Sequence, residues 1–148
     1  IEIYTFLEKL VDLTNQSSIG TSIQDIKKIV VNNNDEILSN IITETESYIK
    51  KGITPNQITI LCINSDTKNI LENFVEIKHF IQQGVTVDSV RRYTGLENDV
   101  IILVIPDKSV FPATINDSKT KNYLYIAASR ATSSLLILST KEFFEEFF

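Results

Sequence analysis

The chain has 148 residues and a net charge of −5, with 43% of its residues hydrophobic and 22% charged. This balance belongs to a single globular domain long enough to bury a core. It excludes a disordered segment and a free-standing nucleic-acid binder, whose affinity would come from a basic face against phosphates. It also excludes a membrane span, which needs roughly 18 apolar residues in a row, and a disulfide framework, since Cys62 is the lone cysteine.

The opening stretch IEIYTFLEKL carries acids and no basic leader region, so no signal peptide is read there. Without an initiator methionine, or any methionine, the chain reads as a piece of a longer protein of the reducing cytoplasm. Apolar residues at Ile3, Phe6, Leu7, Leu10, Val11 and Leu13 have helical spacing, and NQSSIG ends that helix. A short strand is expected near Ile29–Val31. NNNDE then starts a helix, with Asn33 and Glu36 spaced as a capping box. Ile37, Ile41, Ile42, Thr45, Tyr48 and Ile49 line one face of it, and Gly52 stops it.

ITILCI (58–63) is a continuous apolar run of strand length, the pattern of a parallel strand covered on both faces. SDTKNILENFVEIKHFIQQG reads as one or two helices, with His79 on a helix surface and no triad or metal partner in view. VTVDSV, DVIILVIP and SLLILS are further strands. SKTKNYLYIAASRA is a helix opening at Ser118, and TKEFFEEFF is a short final helix whose phenylalanines dock on the sheet. Cys62, inside an apolar run, is read as a small core residue. Strands alternating with helices, with no repeat or low-complexity linker, predict an α/β domain built on a mainly parallel sheet flanked by helices. Ligands of such sheets sit beyond the carboxyl ends of the strands, which is where the loop after VTVDSV is expected to lie.

Two stretches carry more chemistry than a fold needs. In RRYTGLENDVIIL, one of only four glycines stands between an arginine pair and a glutamate. Gly95 permits a positive φ or a close backbone approach, and Glu97 can accept hydrogen bonds from ribose hydroxyls. Ser89 and Arg91 can hold phosphate, the arginine through a charge-assisted pair. The same spacing also describes a strand and turn with solvated arginines and a helix-capping glutamate. In YLYIAASRATS, Arg130 ends a helix of small and apolar residues. A cation there suits the helix macrodipole, and it equally suits an arginine finger that neutralises charge on a transferred phosphoryl group. Residue types alone leave both pairs of readings open. The sequence has no G-x-x-x-x-G-K-[ST] phosphate loop, no acidic pair placed to hold Mg²⁺ beside one and no Ser-His-Asp set. Asp107 and Asp117, in the loop after a strand, are weak candidates.

Together the two stretches resemble known motifs. VTVDSVRRYTGLENDVIIL (about 86–103) resembles motif V of the UvrD/Rep-like superfamily 1 helicases, roughly T-x-H-x-x-K-G-L-E before an apolar strand. YLYIAASRA (about 123–131) resembles their motif VI, roughly Y-V-A-x-T-R-A. GITPNQITILCINSDTKNILE is similar to the stretch that precedes motif V, and IEIYTFLEKLV to the helix after motif IV, so the likeness spans residues 1–148 in the family's order. Thr94 stands where the family usually has lysine, and Arg91 where it often has histidine. The larger members insert a whole domain between Leu71 and Val85, where this chain is short.

The resemblance implies the second RecA-like motor domain of an ATP-dependent DNA helicase or translocase, lacking a P-loop of its own. An upstream first RecA-like domain would bind most of the ATP and Mg²⁺, so the isolated piece would be inactive. Residue by residue, Arg130 takes the place of the motif VI arginine that reaches the γ-phosphate. Glu97 takes that of the motif V ribose contact, with Gly95 allowing the approach. Ser89 and Arg91 take positions that touch the backbone of single-stranded DNA, with RNA left open. The alternative is a RecA-like nucleotide-sensing domain of a regulatory or defence protein that unwinds nothing.

Overall fold

In the computed structural model, which describes residues 25–93, 95–108 and 124–147, five strands form one parallel sheet. They are β1 (Asp25–Val31), β2 (Ile58–Cys62), β3 (Thr86–Ser89), β4 (Asn98–Val104) and β5 (Ala131–Thr140), in the order β1-β5-β4-β2-β3. The helices are α1 (Asn34–Lys50), α2 (Ser65–Glu72), α3 (Val75–Gln83), α4 (124–128) and α5 (Lys141–Phe147), and a 3₁₀ turn at Pro55–Gln57 precedes β2. The expected helix at Ile3–Leu13, the helix start at Ser118, and Thr94 and Asp117 lie outside the described residues.

The central strands read as unbroken apolar runs because both of their faces are covered. All five residues of β2 are buried. Side chains alternate across the sheet. Ile58, Ile60, Cys62, Val100, Ile102, Val104, Leu136 and Leu138 join one core with Ile37, Ile41 and Tyr48 of α1, Leu71 of α2, and Ile77 and Phe80 of α3. Leu61, Ile101, Leu103, Leu135 and Ile137 face the other way. They pack on Leu124 and Ala127 of α4, Phe143 and Phe144 of α5, and Val90 and Tyr93 from the segment after β3. Each such aliphatic side chain contributes about 1.5–3 kcal/mol when fully buried.

α1 forms as its spacing predicts, burying Ile37, Ile41, Thr45 and Tyr48. Its cap differs by one residue from the expected box. Asn33 Oδ1 accepts the Glu36 N–H at 3.2 Å, but the Glu36 carboxylate reaches past Asn33 to the N–H of Asn32 at 2.8 Å. Gly52, at φ +100°, follows the last turn, where an L residue would be strained. The stretch 65–83 resolves into two helices broken at Asn73–Phe74. β1 is longer than the expected Ile29–Val31, pairing residue for residue with β5 from Asp25 to Val31. Lys27 and Lys28 hid its start, and an edge strand tolerates such charges because only one side of it pairs.

One connection positions the candidate site. β3 and β4 are parallel and β2 lies between them, so residues 90–97 must run back from the carboxyl edge of the sheet to its amino edge. They do so without a long helix, buried against one face through Val90 and Tyr93.

Candidate functional site

At the amino edge, β4 and β5 begin side by side, with Asn98 opposite Ala131. The Asn98 N–H donates to the Arg130 carbonyl at 2.9 Å. Glu97 and Arg130, 33 positions apart in sequence, therefore leave the sheet from adjacent strands at the same edge. Glu97 is exposed and Arg130 half-buried. The Arg130 Nε–H is buried with no hydrogen-bond partner among the described residues. A buried donor left unpaired is costly, so this edge presents a cationic N–H suited to an anionic acceptor. Gly95 has φ +79°, and a Cβ placed on it would meet nothing within 4 Å among the described residues. The glycine is there for its backbone angle, and close packing is not the reason.

At the carboxyl edge, Ser89 lies opposite Cys62, and the Val90 N–H donates to the Cys62 carbonyl at 2.9 Å. The chain then turns sharply, with the Tyr93 N–H donating to the Ser89 carbonyl at 3.0 Å. Ser89 is only 2% exposed, and its Oγ accepts the Arg92 N–H at 3.4 Å. Asp88 Oδ1 accepts the Ser89 N–H at 2.8 Å and lies 3.8 Å from Arg92 Nε. Arg91 and Arg92 are exposed on this turn. On the other face of the sheet, between α1 and α2, Ile37, Leu38, Ile70, Leu71, Phe74 and Pro106 line a largely apolar hollow of about 220 Å³. Asp107 closes back onto α1, its N–H donating to Asn34 Oδ1 at 3.0 Å.

The two groups of candidates are thus separated by the length of β4, about 20 Å at roughly 3.3 Å per residue. This corrects the expectation that the whole RRYTGLE stretch lies beyond the carboxyl ends. Ser89 and Arg91 lie there, whereas Glu97 lies with Arg130 at the opposite edge and Gly95 on the way between the two. The reason is the helix-free return crossing, which residue spacing does not reveal.

A polar network at the amino edge went unread in the sequence. Asp99 Oδ2 accepts from Gln57 Nε2 at 2.7 Å, and Asp99 Oδ1 accepts from Thr132 Oγ1 at 2.8 Å. Asn98 Nδ2 donates to the Asn56 carbonyl and to Thr59 Oγ1, both at 3.0 Å, and Thr59 Oγ1 lies 3.1 Å from the Tyr93 hydroxyl. The available signal was the recurrence of amides and hydroxyls where each central apolar strand starts: PNQ before β2, ND opening β4 and TSS in β5.

Cys62 is fully buried, and burial foremost, with Glu72 and Asp88 adding to it against Lys68, pushes its thiol pKa far up, so it is no nucleophile. His79 is on the surface of α3, its Nε2 3.1 Å from Gln83 Nε2. No helix among the described residues is long and apolar enough to cross a membrane.

No protein-family model matches the chain, and no curated protein matches its sequence. Among solved structures it is similar to the C-terminal domain of a possible DNA helicase from Lactobacillus plantarum WCFS1. The TM-score is 0.62 at 14% identity, over 88% of this chain and 83% of that one. What the two share is the fold, an α/β domain with a parallel sheet flanked by helices and consistent with a RecA-like domain.

Proposed function

We propose that this is the second RecA-like motor domain of an ATP-dependent DNA helicase or translocase of the UvrD/Rep-like kind, working against a first RecA-like domain upstream in the same chain. The observation that carries the reading is the common edge of Glu97 and Arg130, with a buried guanidinium N–H on Arg130 that has no partner among the described residues. The shared fold with a possible helicase's C-terminal domain and the order of the two motifs support it.

Arg130 is the arginine finger, a fixed cation at the edge that faces the upstream domain, where it stabilises charge developing on the transferred phosphoryl group. Glu97 accepts hydrogen bonds from the nucleotide ribose, and Gly95 supplies the turn that presents it. ATP with Mg²⁺ is held mainly by the upstream domain and supplies the phosphoryl group passed to water. Arg130 then works only when the cleft between domains closes, so this domain alone does not hydrolyse ATP. At the carboxyl edge the exposed Arg91 contacts the backbone of single-stranded DNA, or RNA in its place, and buried Ser89 holds the turn that carries it.

The test is ATP turnover by the full-length protein, with and without single-stranded DNA, for wild type and Arg130→Ala. Stimulation by the strand and its loss on substitution, with folding intact, are expected. Turnover indifferent to both would remove the motor assignment. The burial of Ser89 favours one second reading, a nucleotide-sensing domain of a regulatory or defence protein. There Arg130 would still matter, but no duplex would be unwound.

A further inference from the structure

The amino edge holds a carboxylate that the proposed chemistry does not use. Asp99 stands two residues after Glu97, and Thr132 two residues after Arg130. The Asp99 carboxylate ties these two strands together through the Thr132 hydroxyl at 2.8 Å, and its other oxygen takes the Gln57 amide at 2.7 Å. Gln57 is itself anchored, its Oε1 accepting the Thr54 N–H at 2.9 Å. One side chain therefore braces the amino ends of β2, β4 and β5.

This brace sits at a weak point of the ladder. The β4–β5 register shifts between Asn98 and Val100, so that Asn98 faces Ala131 but Val100 faces Ser134. β5 carries an extra residue here, at Thr132–Ser133, two residues after Arg130. Regular pairing does not specify how the strand enters such a bulge, and bulges commonly re-aim a neighbouring side chain. The Thr132 hydroxyl pins the bulge to β4, through the Asp99 carboxylate at 2.8 Å and, more weakly, the Asn98 carbonyl at 3.4 Å.

We infer that Asp99 is a positioning residue, which sets the placement of Arg130 relative to Glu97 by holding the β5 bulge and the Gln57 turn. The inference rests on the nucleotide reading of that edge. Asp99 touches neither nucleotide nor reacting atoms. It acts through the strand starts, and a displacement of about 1 Å at such a site can cost up to a hundredfold in rate.

The test uses the full-length protein, with kcat and KM for ATP at saturating single-stranded DNA and a melting curve for each variant. Asp99→Asn replaces one of the two accepting oxygens by an N–H₂, so the side chain can no longer accept from both Thr132 and the Gln57 amide. It should lower kcat between about ten- and a hundredfold with little change in melting temperature. Adding Gln57→Glu restores a donor–acceptor pair with its direction reversed and should recover most of the loss. Thr132→Val, which removes only the hydroxyl, should lower kcat in the same way and serves if Asp99→Asn folds poorly. Unchanged kcat per folded molecule in both single variants, or a loss that Gln57→Glu does not reverse, overturns the inference. Arg130→Ala, measured in parallel, separates this failure from that of the underlying reading. If Arg130→Ala turns over like wild type, the nucleotide site itself is wrong.

Discussion

The two ends of this sheet are built differently, although the same parallel strands run between them. At the amino edge, amides, hydroxyls and one carboxylate from three strand starts interlock at 2.7–3.1 Å. At the carboxyl edge the polar side chains are mostly spent within one tight turn, and Arg91 and Arg92 are exposed. A cross-braced polar cluster fixes directions, which chemistry on a small ligand requires. Exposed cations on a turn supply positive charge at the surface, which suits a repeating phosphate backbone.

If that division is right, substitutions at the two edges should have separable effects. The largest is expected for Arg130→Ala, which should reduce ATP turnover by on the order of a thousandfold or more while leaving single-strand affinity unchanged by fluorescence anisotropy. Arg130→Lys should not restore turnover, because an ammonium group replaces the planar guanidinium and its Nε–H. Loss of strand affinity in parallel with turnover would mean that the two edges are not separate sites.

The converse substitution, Arg91→Ala with Arg92→Ala, should weaken strand binding and flatten its salt dependence. The slope of log K against log salt should fall by about 0.7 for each phosphate that the arginines no longer neutralise. ATP turnover at saturating strand should be little changed. The Arg92–Asp88 pair will not mask the effect, since at 3.8 Å with Arg92 largely exposed it contributes little. An unchanged salt slope would move the strand groove away from this turn and favour the nucleotide-sensing reading.

Cys62 reports on the floor of the carboxyl edge, directly opposite Ser89 in the ladder. An unfolded thiol releases its proton near its ordinary pKa of about 8.5, and burial holds the folded one well above that. The folded state therefore keeps a proton that the unfolded state has lost. This contribution to stability is complete below about pH 8.5 and should fall above it by about 1.4 kcal/mol per pH unit. Comparing urea denaturation of wild type and Cys62→Ala across that range isolates the slope. A thiol reagent should label Cys62 only on unfolding, and rapid labelling of the native domain would show that this floor is open.

How much of this was legible in the sequence follows from how local each feature is. Ile37, Ile41, Thr45 and Tyr48 announce α1 because helical spacing repeats within a few residues. The apolar runs of β2 and β4 announce a doubly covered sheet in the same way. The start of β1 was hidden because its pairing with β5 lies far away in sequence and leaves Lys27 and Lys28 in strand positions. The meeting of Glu97 with Arg130 depends on Asn98 pairing with Ala131. No local pattern encodes that, and only the resemblance in motifs suggested a common site. The return of residues 90–97 to the amino edge was invisible for a related reason, since parallel crossovers ordinarily announce themselves by a helix and this one does not. Asp99 was passed over because a polar residue at a strand start is usually solvated, and its partners Gln57 and Thr132 come from two other segments.

The smallest effect is expected at Gly95, in the chain returning towards the amino edge. At φ +79°, with none of the described residues within 4 Å of the missing Cβ, the expected cost of substitution is conformational. Gly95→Ala should therefore destabilise the domain by about 1 kcal/mol. Gly95→Asn should cost less despite its larger side chain, because asparagine enters the left-handed region more readily. A clash would reverse that order, so chemical denaturation of the two variants decides between angle and crowding. The functional readout ties the position to its edge. If the glycine serves to present Glu97, both variants should change KM or kcat for ATP and leave the salt slope of strand binding alone. If strand binding moves instead, the turn at Gly95 belongs with Arg91, and the crossing does not divide the two sites where the sheet geometry places the boundary.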